Sequence, residues 1–180
     1  MRSLMTKFML LVAMMAVPAI ANRVAAQTPA PAAKSSSPAG ENRQVQGYVF
    51  FGPGATSGSS TTWVNFGGGG EGFVKGGLSV GGEIAGYTPA SRFDEGFGIL
   101  SANAGYHFLK ASKSGKVVPF ASGGYSLFFR NSAASGVNFG GGVDYWFKER
   151  IGLRFEVRDH VLVEYPDTHY AGFRVGLTFR

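Results

Sequence analysis

From Gln44 to the C-terminus the chain alternates apolar and polar residues with a period of two, the spacing of a β-strand whose faces meet different surroundings. Two segments near the end are the clearest. Over Ile151 to Arg158, Ile151, Leu153, Phe155 and Val157 share one face while Gly152, Arg154, Glu156 and Arg158 share the other. Over Tyr170 to Arg180, Ala171, Phe173, Val175, Leu177 and Phe179 oppose Gly172, Arg174, Gly176, Thr178 and Arg180. Residues 137–147, 98–109 and 77–88 alternate in the same way. Residues 117–130, 61–74 and 44–51 are less regular but hold β-branched and aromatic residues between turn signals. The pattern predicts eight strands.

The connections predict how these strands are arranged. Short ones fall near 74–76, 110–116 and 148–150, and longer ones near 52–60, 88–96, 131–136 and 159–168. Short turns on one rim and longer loops on the other is the arrangement of an outer-membrane barrel, with the turns on the periplasmic side. An even number of strands then leaves both termini on the turn rim. The expected fold is all-β: an eight-stranded, antiparallel, up-and-down transmembrane β-barrel over residues 44–180.

Alternation does not say which face is wet, and composition bears on that choice. The chain holds 28 Gly and 16 Phe among 180 residues, no Cys, and 16% charged residues against about 25% in soluble domains. A water-exposed strand face gains nothing from alternate glycines, whereas the narrow interior of an eight-stranded barrel accepts small residues beside a few charges. The apolar face is therefore read as facing lipid, and glycines such as Gly152 and Gly176 as interior positions with room for a small side chain. A soluble periplasmic ligand-binding barrel with an apolar interior is the alternative. Phe108, Phe147 and Phe179 close three strands in register with the apolar face, as an aromatic girdle requires. Phe73 closes a fourth with the wrong parity; either a bulge near 67–72 intervenes or Val74 takes its place.

Before the barrel, Arg2 and Lys7 precede the apolar run from Phe8 to Val17 and a stretch of small residues, the order of a secretory signal peptide. Residues 1–26 are expected to be removed on export, with cleavage after Ala26 favoured over Ala21. Residues 27–43, rich in Pro, Ala and Ser, form a flexible linker that buries too little to order itself. Removing Arg2, Lys7 and Arg23 from a formal charge of +6 leaves +3, too little to argue for nucleic acid. The lack of Cys excludes disulfides, cysteine nucleophiles and thiolate metal sites.

Two segments carry a family resemblance. Phe139-Gly-Gly-Gly-Val-Asp-Tyr-Trp-Phe147 looks like a barrel strand entering a tight turn, and Gly172-Phe-Arg-Val-Gly-Leu-Thr-Phe179 resembles the C-terminal strand read by the barrel-assembly machinery. Over residues 44–180 the chain resembles the small eight-stranded outer-membrane β-barrel proteins of the OmpA/OmpX-like superfamily, barrel domain only. The resemblance implies insertion by that machinery, although Arg180 follows the terminal aromatic where the usual signal ends on it.

By parity the interior charges are Glu71, Glu83, Asp144 and Glu156 against Arg154, Arg158, Arg174 and Arg180, signs in balance. Such charges must pair inside a nearly filled barrel, which makes them a plug; a gated, narrow pore using the same groups is the alternative. Asp159, His160, Glu164 and His169 lack a repeated close spacing and are read as loop polarity rather than a metal site. His107 is expected to point inward. No Ser lies in a recognisable nucleophile motif, so an outer-membrane lipid-modifying enzyme is a secondary reading. Gly67 to Gly70 and Gly140 to Gly142 are strand glycines, not phosphate loops. Lys110, Lys113 and Lys116 form a basic turn read as solvated, with contact to phosphate head groups or peptidoglycan as the alternative. The expectation is a noncatalytic, monomeric barrel of the outer membrane, with an envelope-integrity or surface-contact role. It needs no cofactor, and its partners are outer-membrane lipids and, during insertion, the barrel-assembly machinery.

Overall fold

A computed structural model describes residues 45–111 and 114–180; the expected signal peptide and linker, Gln44 and Lys113 lie outside the described residues. The strands are β1 (Val45–Thr56), β2 (Trp63–Lys75), β3 (Leu78–Pro89), β4 (Phe97–His107), β5 (Val117–Phe129), β6 (Ala133–Trp146), β7 (Ile151–Leu162) and β8 (His169–Phe179). Each pairs antiparallel with the next and β8 pairs with β1, so the sheet closes into an up-and-down barrel. Closure leaves no strand edge exposed. The strands run from 11 to 14 residues, more than the roughly 9–11 that a tilted strand needs to cross bilayer hydrocarbon.

Register converts the alternation into two surfaces. Between β7 and β8, Leu153 pairs with Leu177, Phe155 with Val175 and Val157 with Phe173, all on the outside. Between those pairs, Arg154 faces Gly176, Glu156 faces Arg174 and Arg158 faces Gly172 on the inside. The same large-against-small rule holds between β6 and β7, where Gly140 pairs with Arg158 and Gly142 with Glu156. Arg154, Glu156 and Arg158 therefore each have a glycine beside them on at least one neighbouring strand.

That packing removes the room expected at interior glycines. A Cβ on Gly69 would stand 2.7 Å from Tyr48 Oη, and one on Gly172 would stand 2.6 Å from Tyr87 Oη. At Gly152 it would meet Tyr145 O at 2.9 Å and Thr178 Cγ2 at 3.0 Å, and at Gly176 it would collide with Val49 O. These positions are closed because strand coiling brings the neighbouring backbone, and the rings inside, up against them. Not every glycine faces inward: Gly70 and Gly82, paired across β2 and β3, have nothing nearer than 3.6 Å to a built Cβ.

The rims depart from expectation. The connections on the terminus rim are 76–77, 108–116 and 147–150; on the opposite rim they are 57–62, 90–96, 130–132 and 163–168. So 108–116, expected to be short, is the longest, and 130–132, expected to be long, is a tight turn. On the opposite rim the cause is that backbone pairing outlasts side-chain alternation, whereas at 108–116 β4 ends at His107 before its alternation does. β1 continues to Thr56 and β6 starts at Ala133, through stretches of Gly, Pro, Ala and Ser where bulky apolar residues no longer alternate. Gly76 and Gly77, with φ of +62° and +96°, make the two-residue turn between β2 and β3. Beside it the β2–β3 register shifts between Phe73 and Lys75. Phe73 turns inward with its ring 4.8 Å from that of His107, and Val74, 65% exposed, takes the outward place.

Candidate functional site

The interior is the one place in the described barrel where chemistry-bearing residues converge. Glu71 accepts hydrogen bonds from Ser79 Oγ (2.6 Å) and Arg154 Nη1 (2.9 Å), and His107 Nε2 lies 2.9 Å from it. Asp144 accepts from Gln46 Nε2 at 2.8 Å and lies 3.7 Å from His107 Nδ1. The Arg154 guanidinium sits between the rings of Tyr48 (4.3 Å) and Phe120 (3.9 Å) and reaches Glu156 at 3.5 Å. This group occupies the half of the lumen nearer the terminus rim.

Glu156 links it to a second group. It accepts from Arg158 Nε at 2.6 Å, while Arg158 also donates to Asn138 Oδ1 (3.2 Å) and Ser122 Oγ (2.8 Å). Glu83 accepts from Tyr48 Oη (3.0 Å) and Arg174 Nη1 (2.9 Å), with Arg158 Nη1 3.7 Å away. Arg174 lies 4.2 Å over the Phe50 ring and contacts His160 Nε2 at 3.2 Å. His160 Nδ1 meets Ser126 Oγ at 3.1 Å, and Ser126 meets Ser101 Oγ and Asn138 Nδ2, each at 2.9 Å. The network thus draws side chains from all eight strands and ties the wall to itself across the lumen.

Arg180 stands apart from the lumen set in which parity placed it. The β7–β8 and β1–β8 ladders end at Phe179, so the next side chain stands at the mouth of the barrel, against the inward Trp146, short of the ionic layer. Its Nε donates to Glu149 O at 2.8 Å, and its guanidinium lies 4.1 Å over the Trp146 ring, at the rim. The buried ionic layer then holds four carboxylates and three guanidiniums, with His107 wedged between Glu71 and Asp144.

An aromatic layer closes the other half of the lumen, and no reading of the charged positions identifies it. Phe97 lies 5.1 Å from Tyr170, 5.8 Å from Phe128, 5.9 Å from Tyr87 and 5.9 Å from Trp63, ring centre to ring centre. Phe128 then meets His160 at 6.0 Å, joining this layer to the ionic one. A signal was present: Tyr87 shares the parity of Glu83, and Phe128 that of Ser126. Beside the ionic groups is a cavity of about 10 Å³, lined by Tyr48, Glu71, Ser79, Arg154 and Arg158 among others, which is room for about one water.

Three other sets resolve as follows. Asp159 and His169 pair at 2.7 Å near the rim opposite the termini, but His160 points into the lumen, so the four residues weighed as metal ligands do not meet. Ser126 and His160 touch, yet a guanidinium only donates, so His160 Nε2 is the acceptor and the ring proton of the neutral imidazole lies on Nδ1 toward Ser126. An imidazole so placed cannot take the serine proton. Phe108, Phe147 and Phe179 are all outward and nearly half exposed, on the terminus rim.

Neither a protein-family model nor any curated protein matches the chain. Solved structures do. The N-terminal β-barrel domain of OprF from Pseudomonas aeruginosa matches with a TM-score of 0.55 at 19% identity, covering 75% of this chain and 96% of that one. Neisserial surface protein A (NspA) matches with a TM-score of 0.58 at 14% identity, covering 75% of this chain and 94% of its own. The fold is that of the small eight-stranded outer-membrane β-barrels. A de novo designed transmembrane β-barrel matches equally well, with a TM-score of 0.54 at 14% identity over 76% of this chain and 94% of that one. A designed barrel has no biological role to share, so what these outer-membrane barrels and this chain have in common is the scaffold. Function has to be argued from the surfaces.

Proposed function

We propose that this chain is a noncatalytic, integral outer-membrane barrel that acts as a single closed plug of protein in the bilayer, stabilising the envelope and presenting its loop rim for contact outside. The observation that carries the reading is the opposition of its two faces. Outward side chains such as Phe51, Val157 and Leu177 are exposed and apolar, while Glu83, Asp144, Arg158 and Arg174 are sealed inside. A soluble barrel would bury the first set and hydrate the second; lipid is the solvent that suits both. The outer-membrane scaffolds it resembles support that membrane as its location. Lipids surround the apolar wall, and Gly172 to Phe179 serves as the strand that the barrel-assembly machinery engages.

A catalytic role gains no support from the lumen, where the Ser126–His160 pair has the wrong proton placement and lies beneath the aromatic layer. A conducting role needs a water path through the ionic and aromatic layers together. Expression of the full chain followed by fractionation and planar-bilayer recording tests the proposal. It expects a membrane-bound barrel with heat-shifted migration and small or absent conductance. Recovery in the soluble periplasm overturns the membrane reading; large, steady channels overturn the plug. Turnover of labelled outer-membrane lipid would replace it with the enzyme reading.

A further inference from the structure

The two rims of the barrel handle charge differently. On the rim opposite the termini, Arg92 pairs with Glu95 at 2.7 Å and Arg130 donates to Asp94 O at 3.0 Å, and the β7–β8 connection on the same rim carries Glu164 and Asp167. On the terminus rim stand Lys75, Lys110, Lys116, Lys148 and Arg150, all exposed, and none of these five forms an ion pair among the described residues. Glu149 is the sole acid in the described terminus-rim connections. Like charges gathered without counterions destabilise a surface unless something outside supplies the anions.

We propose that the terminus rim is a collar for the headgroups of anionic phospholipid in the adjoining leaflet. The inference rests on the membrane reading above and goes beyond it by assigning a partner to one end of the barrel. Depth carries the choice of partner. Lys148 directly follows the outward Phe147, Lys75 directly follows the outward Val74, and Lys110 lies two residues past the outward Phe108. Tyr106 and Tyr145 stand beside these aromatics on the same outer face. A side chain at an aromatic girdle sits at the edge of the hydrocarbon, so a cation one or two residues on stands at the level of the phosphodiesters, and a lysine stem spans the remaining gap. A partner confined to the aqueous phase would be met by cations at loop tips instead.

The cations are also held as one surface. Trp146 N donates to Lys116 O at 2.7 Å, tying the β4–β5 connection to the end of β6, and Arg180 N donates to Arg150 O at 3.2 Å, tying the β6–β7 connection to the end of β8. The β4–β5 and β6–β7 connections, with Lys75 at the end of β2, therefore offer positive charge around an arc of the wall. Phosphate is the group that suits them, because an ammonium or guanidinium at a wet interface gains most from a fixed, unpaired anion.

The test titrates the full, detergent-folded chain with phosphatidylglycerol or phosphatidylcholine of identical acyl chains and counts retained lipids by native mass spectrometry. The unmodified barrel is expected to retain phosphatidylglycerol about tenfold or more over phosphatidylcholine. The variant K75Q/K110Q/K148Q/R150Q should lose that preference, and R92Q/R130Q on the far rim should keep it. Heat-shifted migration verifies folding of each variant, with single K110Q and K148Q proteins, each losing part of the preference, in reserve. Equal retention of both lipids by the unmodified barrel, or an unchanged preference in the rim variant, overturns the collar while leaving the membrane reading intact. Rim-dependent binding of purified peptidoglycan in place of the lipid preference overturns the choice of phospholipid. A chain that forms no heat-shifted barrel overturns the membrane reading itself.

Discussion

The two faces of β7 share a backbone and a solvent history, yet they are built on opposite rules. Its outer face, Leu153, Phe155 and Val157, is the one that meets fluid lipid in the proposed membrane setting, so its requirement there is chemical: any apolar side chain suffices and shape matters little. Its inner face, Arg154, Glu156 and Arg158, is held by named partners on five other strands and packed against glycines, so its requirement is for particular residues. One face tolerates substitution within a class. The other tolerates almost none, and stability should be concentrated there.

The strongest way to break this contrast is to remove a buried cation. Arg154→Ala leaves Glu71, Asp144 and Glu156 without the guanidinium that lies 2.9, 3.9 and 3.5 Å from them. The expected loss is about 3–5 kcal/mol, less where water enters to solvate the carboxylates. Urea unfolding in detergent or lipid vesicles measures it, and conductance checks whether water has entered. Pairing Arg154→Met with Glu71→Gln should recover part of the loss, because both ends of one ion pair then go together; a double variant as unstable as the sum of the singles would show that the two do not act as a pair.

Leu177→Arg on the outer face comes next. It places a charge at a position 46% exposed to the surroundings of the wall, at a cost of about 2–4 kcal/mol if the position lies near the bilayer midplane. Leu177→Phe or Leu177→Val should cost far less, since the lipid face asks only for apolarity. The same unfolding assay separates them. Similar losses from Leu177→Arg and Leu177→Val would mean that this face is packed rather than lipid-exposed.

How far the sequence discloses this architecture differs along the chain. β6, β7 and β8 alternate bulky apolar residues with charges or glycines, so their parity, and with it the inward aim of Asp144, Arg154, Glu156, Arg158 and Arg174, can be read directly. β2 cannot be read that way. Through Gly67 to Gly70 there are no side chains to alternate, and the shift between Phe73 and Lys75 reverses the parity just where an aromatic would have reported it. The aromatic layer of Trp63, Tyr87, Phe97, Phe128 and Tyr170 is obscured for another reason. In a barrel, aromatics serve the girdle outside and the packing inside, so residue type alone does not reveal the face. Arg180 falls short of the ionic layer because it lies past the last ladder pair, and the short 130–132 turn escapes the pattern because backbone pairing continues where the apolar alternation does not.

The finest comparison uses two consecutive glycines of opposite parity, identical in residue type. Gly81 shares the inward parity of Ser79 and Glu83, and a Cβ there would collide with Gly70 O and stand 2.9 Å from Glu71 Cα and Cβ. Gly82 faces outward, and a Cβ there would meet only Ser101 O at 3.7 Å. Neither glycine has a positive φ, so alanine strains the backbone at neither position and space alone separates them. Gly81→Ala should cost about 1–3 kcal/mol, because the displaced atoms are the backbone of β2 and the stem of Glu71 rather than a side chain free to turn away. It should also disturb the Glu71–Arg154 contact, making its effect less than additive with Arg154→Ala. Gly82→Ala should stay within about 1 kcal/mol of the unmodified barrel and lie on the stabilising side, since the alanine restricts the unfolded chain and adds apolar surface where lipid will receive it. Urea midpoints of the two single variants, measured in the same vesicles, decide the matter. A Gly82→Ala barrel as damaged as Gly81→Ala would mean that the outer surface at β2 and β3 is covered by something other than fluid lipid, and would turn Gly70 and Gly82 from bare wall into a contact.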